Sequence, residues 1–296
     1  MKLNIHYHKA WICLMLLLTS VFCFAQEQAD TTSYRIETRD GNIYTGRIIA
    51  QDSLQVIFQS DQLGEIHIQR ARIKEIHPIE KDKIKDGTYW FESPQATRYF
   101  YSPNGYALKK GEGYYQNVWV LFNSLAFGIT DHVSFGAGLV PLFLFAGAPT
   151  PVWITPKLSI PISEDKMNLG AGALMGFIVG EERAGFGIVY GITTFGSKDQ
   201  NVSFGLGYGY AAGEWARWPM LNLNAMIRTG PRGYLLTENY FLRTGQSTTV
   251  ILWLGGRQMI KKAGLDYGLM IPWFDEMEDL VAIPWLGLTI PFEVKN

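Results

Sequence analysis

Five charged residues, Lys157, Arg228, Glu238, Arg257 and Asp266, stand inside stretches otherwise rich in apolar side chains and glycine. Charges in such settings do one of two things. They line a water-filled path and select what passes, or they neutralise one another and seal an interior. Histidine chemistry has less to work with. Beyond residue 25 the histidines are His67, His77 and His132, with no Gly-x-Ser-x-Gly elbow to pair with them. Three scattered histidines without cysteine make a poor zinc site. The Gly-x-Gly stretches lie inside alternating segments and open no helix, so they do not read as phosphate loops. The expectation is a non-enzymatic chain without metal or cofactor. An envelope-lipid-modifying enzyme would have to act without histidine, through acids of the connecting segments: Glu112, Glu181, Glu182, Asp275, Glu276, Glu278 or Asp279.

The elements that must position the five charges are strands. In Asn201-Val-Ser-Phe-Gly-Leu-Gly-Tyr-Gly-Tyr, Val202, Phe204, Leu206, Tyr208 and Tyr210 share one face, and Ser203, Gly205, Gly207 and Gly209 share the other. A water-facing strand face is seldom glycine. A transmembrane β-barrel turns the apolar face to lipid and the small or polar face to a narrow lumen. Val133, Phe135, Ala137 and Leu139 oppose Ser134, Gly136 and Gly138 in the same way. So do Phe186, Ile188, Tyr190 and Ile192 against Gly187, Val189 and Gly191, and Leu221, Leu223, Ala225 and Ile227 against Asn222, Asn224 and Arg228. The 31 glycines and 14% aromatics, with charge at only 18%, fit that class.

Turn residues divide the chain into spans near 116–128, 132–142, 151–162, 167–179, 185–196, 201–212, 219–229, 233–243, 248–260, 265–275 and 280–293. Short polar turns alternate with longer loops, as periplasmic turns alternate with outer loops. Keeping both barrel ends periplasmic requires a further strand at Thr97 to Ser102, with Pro103 to Gly113 as the first outer loop. The expected count is about twelve, with ten as the alternative. Lys157, Arg228, Arg257, Asp266 and Glu238 take lumen parity, because a basic residue facing lipid at mid-depth costs about 2–4 kcal/mol. Trp153, Trp215, Trp218, Trp273 and Trp285 fall where an interfacial aromatic belt belongs.

Residues 1–25 read as a secretory signal: Lys2 and Lys9, then an apolar run, then Cys23-Phe24-Ala25 before the cleavage point. Cleavage there removes both cysteines, Cys13 and Cys23, and leaves 24 basic residues against 27 acidic ones, a balance that gives nucleic acid no hold. Residues 33–80 carry short strands around the turn Asp40-Gly41-Asn42. The order Arg39-Asp-Gly-Asn-Ile-Tyr-Thr-Gly-Arg-Ile, Leu54-Gln-Val-Ile-Phe, Gly64-Glu-Ile-His-Ile resembles SH3-like and Sm-like small barrels. Residues 81–95 read as a linker, and 96–296 as the large barrel.

With the run Asn104-Gly-Tyr-Ala-Leu-Lys-Lys-Gly-Glu-Gly-Tyr-Tyr-Gln-Asn117, the chain resembles uncharacterised Bacteroidota-type outer-membrane β-barrel proteins that carry a small N-terminal β-module. The resemblance implies the cell outer membrane as location, with the module in the periplasm, and carries no catalytic residue. It departs from many such barrels in its end, where Phe292 is followed by Glu-Val-Lys-Asn rather than closing the chain.

The sequence therefore points to an all-β protein: a small SH3/Sm-like barrel, then a transmembrane antiparallel β-barrel. The expected function is structural, or a narrow pore for a small solute. Outer-membrane lipid is the expected surroundings, and the module is expected to meet a periplasmic protein partner. The alternative is a soluble periplasmic protein of two binding modules.

Overall fold

The computed structural model describes residues 32–79, 84–85, 88–181, 185–245, 247–260, 262–275, 277 and 279–294. The secretory signal at 1–25 lies outside them. The chain divides into two compact units, Met1–Thr88 and Tyr89–Asn296.

The first unit is a five-stranded antiparallel sheet: β1 (Ser33–Thr38), β2 (Ile43–Gln51), β3 (Gln55–Ser60), β4 (Gly64–Gln69) and β5 (Ile73–Ile79). Its order is β4-β3-β2-β1-β5, with a single 3₁₀ turn at Arg70–Arg72 before β5. Ile36, Val56 and Phe58 are fully buried, and Ile68 nearly so. Alternation sends charged partners outward, where Lys74 and Arg35 both bond the Glu37 carboxylate, at 2.6 and 2.8 Å. The Lys74 hydrogen bond chiefly holds Glu37 below the usual carboxylate range. Gly46 bends β2 at φ +152°, where a Cβ would sit 1.9 Å from the Gln59 carbonyl oxygen. Only glycine lets one strand serve both neighbours there. A two-residue pair, β6 (Ile84–Lys85) with β7 (Thr88–Tyr89), follows.

The second unit is a closed twelve-strand antiparallel β-barrel. Its strands are β8 (Glu112–Val118), β9 (Phe122–Gly128), β10 (Val133–Leu139), β11 (Thr150–Ile154) with β12 (Lys157–Ser163), β13 (Met167–Val179), β14 (Gly185–Gly196), β15 (Gln200–Ala211), β17 (Met220–Arg228), β18 (Gly233–Thr244), β19 (Ser247–Ile260), β20 (Ala263–Phe274) and β21 (Ile283–Glu293). β16 (Glu214–Trp215) only pairs with the end of β15, on the edge that β17 follows. β11 and β12 act as one strand, since both pair with β10 and β13. β21 returns to β8, Gly287 opposite Val118, and closes the sheet.

The count of twelve stands, but its first two members differ from expectation. Residues 116–128 are not one strand. They fold at Trp119-Val120, both at positive φ (51° and 64°), so that β8 and β9 form a hairpin. Thr97 to Ser102 is not a wall strand either. Tyr99 and Phe100 are completely buried and Arg98 is 1% exposed, in a segment running through the lumen. Two deviations cancel: one span counted once is two strands, and one counted as a strand is lumen filling. Consequently the first turn at the long-loop end is 119–121, not Pro103 to Gly113.

Two further expectations change. The wide face of β14 points inward, because its register sets Gly191 opposite outward Leu206 and Tyr190 opposite inward Gly207. Val189 faces out, whereas Ile192 is buried. Trp153 and Trp285 are buried in the interior, whereas Trp215, Trp218 and Trp273 are exposed near the long-loop end. Trp285 stacks edge-on with Trp119, Trp253 and Phe100, which fill space that narrow glycine positions leave open.

Candidate functional site

The lumen is occupied from the short-turn end by residues 90–110. This segment is no regular element, and Pro94, Pro103 and the turn Ser102-Pro-Asn-Gly105 show why: proline gives up a donor and fixes φ. It folds back on itself by two backbone–backbone bonds, Tyr99 N to Ser102 O at 2.9 Å and Asn104 N to Thr97 O at 3.1 Å. With so few internal bonds, most of its backbone polar groups must find partners on the wall.

They find the strand-borne charges. Arg257 on β19 binds Asp266 on β20 through Nε at 2.5 Å and Nη2 at 3.0 Å, and Arg98 of the plug reaches the same carboxylate at 3.0 Å. All three side chains are at most 1% exposed. Two cations against one anion leave a surplus positive charge in a buried place. The plug's carbonyls take it up: Gln95 O and Tyr99 O receive Arg257 at 2.9 and 2.6 Å, and Tyr99 O and Phe100 O receive Arg98 at 2.8 Å each. Arg98 also donates to the Thr289 hydroxyl.

On the neighbouring strand, four residues further along, the polarity reverses. Glu238 on β18 is 1% exposed and accepts the backbone N–H groups of Tyr101 and Ser102, both at 2.9 Å, and the Tyr240 hydroxyl at 2.6 Å. The turn of the plug thus offers carbonyls to the guanidinium side and amides to the carboxylate side. Tyr99 reaches Asn201 and Ser203 at 2.6 Å each, and Gln116 binds Phe100 O at 2.8 Å.

Arg228 sits at the entrance of the plug. It binds Asp199 at 3.0 Å and Phe91 O at 2.8 Å, with Trp90, Phe91 and Tyr234 rings 5.0–5.3 Å from its guanidinium carbon. Lys198 pairs with Glu92 beside it.

Lys157 stands apart from these networks. Its ammonium donates to Tyr106 O at 2.6 Å, and among the described residues no carboxylate lies within ion-pair distance. It lines a partly open cavity of about 170 Å³. The floor is the plug, at Thr97, Tyr101, Ser102 and Pro103, and the walls rise through the long-loop half of the barrel. Tyr114, Tyr190, Trp153, Leu174 and Ile188 make those walls largely aromatic and apolar.

All five strand-borne charges face inward, but they do not gather at one point. Arg257 and Asp266 meet; Glu238, Arg228 and Lys157 each have a separate set of partners. The sequence reading did not single out Arg98, Asp199 or Gln95. An arginine directly before the aromatic run Tyr99-Phe100-Tyr101 was the visible signal for the first; Asp199 and Gln95 carry none. No protein-family model, no curated protein and no solved structure matches the chain.

Proposed function

We propose that the chain is a non-enzymatic outer-membrane β-barrel whose lumen is stoppered by its own residues 90–110, so that it serves as a scaffold or receptor rather than an open pore. The observation that carries this reading is the inversion of the barrel. Large apolar side chains ring its outside on strand after strand, among them Phe177, Phe204, Leu223, Leu254, Leu269 and Leu288. The buried polar residues include Arg98, Glu238, Arg257 and Asp266. A soluble two-module protein would leave that belt in water, far beyond the patch size a monomer tolerates. Lipid covers it without cost.

The short apolar helix Pro141–Phe145, in the loop after β10, supports the same reading. Leu142, Phe143, Leu144 and Phe145 are all exposed, which suits a membrane interface. The short-turn end, where the plug enters, faces the periplasm, and residues 33–80 form a periplasmic interaction module. The 3₁₀ turn before β5 and the return of β5 to β1 support an SH3-like small barrel for it.

Two measurements on the full chain test the reading. Protein from an outer-membrane fraction should migrate anomalously in detergent gels until boiled. The same protein in planar bilayers should give no stepwise conductance, because plug and wall satisfy one another's charges. Recovery as a soluble protein without a boiling shift overturns the membrane reading, and steady single-channel currents overturn the stopper.

A further inference from the structure

The cavity above the plug has a built polar end. Across neighbouring strands Ser134, Lys157, Gly172, Tyr190, Gly207 and Met220 stand side by side in register. The two glycines in that row open the wall to the lumen. Tyr190 lies over one of them: a Cβ on Gly172 would sit 2.5 Å from its hydroxyl oxygen. The phenol is therefore held beside the strand that carries Lys157. The Tyr190 hydroxyl makes no hydrogen bond among the described residues, and Lys157 spends one of three N–H donors on Tyr106 O. A cation and a free hydroxyl thus converge in a cavity whose other walls include Trp153, Leu174, Ile188 and Ile192.

The barrel's other buried cations show what is missing here. Arg98 and Arg257 share Asp266, and Arg228 has Asp199. Lys157 faces open space instead of a carboxylate, with donors and no acceptor of full negative charge. We infer that this cavity binds an amphiphile with one anionic headgroup, carboxylate or phosphate, on Lys157 and Tyr190, with its apolar tail along the aromatic and aliphatic walls. The mouth lies toward the long loops, so on the membrane-barrel reading the ligand enters from outside the cell.

Calorimetric titration of the full chain in a non-ionic detergent tests this, with a medium-chain fatty acid as the probe. The matching fatty alcohol and alkyl phosphate provide an uncharged and an alternative headgroup. The acid should bind saturably and at least about tenfold more tightly than the alcohol, the worth of one charge-assisted hydrogen bond. Lys157→Met should abolish that preference, and Lys157→Arg should restore it. If the phosphate outbinds the acid, the headgroup source is a phospholipid-like molecule; the reverse order points to a free fatty acid. Equal binding of acid and alcohol to the unmodified protein, no saturable binding, or an unchanged preference in Lys157→Met overturns the inference. The boiling shift is recorded on every sample. A shift without binding removes the ligand site alone, whereas loss of the shift in the unmodified protein removes the barrel reading beneath it.

Discussion

The two units obey the same period-two alternation with opposite sign. In the small N-terminal unit the inward residues are Ile36, Val56, Phe58 and Ile68, and its ion pairs Arg35–Glu37 and Lys74–Glu37 lie at the surface. In the barrel the pair Arg257–Asp266 is fully inside and Phe204, Leu254 and Leu269 are outside. One alternating pattern therefore does not reveal which face meets solvent. On the proposed membrane reading the solvent does that: water covers charge and leaves apolar surface to be buried, whereas hydrocarbon covers apolar surface and leaves charge to be paired. The difference also sets what holds each unit together. The first rests on close-packed side chains, and the second on a closed ladder of backbone hydrogen bonds around a filling of paired charges and packed aromatic and apolar side chains.

The sharpest way to break the comparison is to remove the shared anion. Asp266→Ala leaves Arg98 and Arg257 buried and facing each other without a counter-charge. Losing one partner of a buried ion pair costs about 3–5 kcal/mol. The urea midpoint of the refolded barrel in lipid vesicles should fall accordingly, with the plug released and conductance appearing in bilayers. The surface pair of the first unit is the control: Lys74→Ala should cost within about 1 kcal/mol, because an exposed pair is weak and salt-screened. A barrel that keeps its midpoint in Asp266→Ala would mean the filling is decoration.

A second pair of substitutions separates the two solvents directly. Leu254 on β19 is 65% exposed, and Leu54 in the first unit is 78% exposed. By exposure alone the two are equivalent. Leu254→Arg should cost about 2–4 kcal/mol where its face meets lipid at mid-depth. Leu54→Arg should stay within about 0.5 kcal/mol, as a surface change in water does. Equal small effects at both positions would show that both faces see water.

Much of this was legible in the residues, and the exceptions have physical causes. β13 and β14 run over the spans the turns marked, and the charges on lumen parity do face inward, because alternation is strict where a strand is long. The inward turn of β14's large residues was not legible. Both of its faces carry apolar groups, and only its pairing with β15 decides between them. Residues 97–102 imitate a strand through the aromatics Tyr99, Phe100 and Tyr101, yet the backbone groups of Tyr99, Tyr101 and Ser102 bond Arg257 and Glu238, partners far along the chain that no local pattern reveals. The hairpin at Trp119-Val120 was missed for a plainer reason. Its central residues must both have positive φ, a turn that asparagine and glycine normally supply.

That turn yields the smallest and most local test. The first unit makes its corresponding bends with glycine, Gly41 at φ +85° and Gly64 at +75°. The barrel uses Trp119 and Val120 and holds them there by other means. Trp119 donates from its ring nitrogen to Pro284 O at 2.8 Å and stacks on Trp285 at 4.9 Å, so its side chain is part of the filling. Val120 has no such anchor: it is 80% exposed, and its backbone N–H bonds the Asn117 side chain at 3.1 Å, a contact any residue keeps. A β-branched residue in the left-handed region costs about 1–2 kcal/mol, and glycine gives back up to about 1 kcal/mol of that in the flexibility of the unfolded chain. Val120→Gly should therefore stabilise the barrel by up to about 1 kcal/mol, read as a higher urea midpoint at unchanged slope. Trp119→Gly, with the same relief of φ, should instead destabilise it, because the ring's hydrogen bond and stacking are lost. If both glycine variants moved the midpoint the same way, backbone strain alone would govern the turn, and the aromatic filling would have no part in holding it.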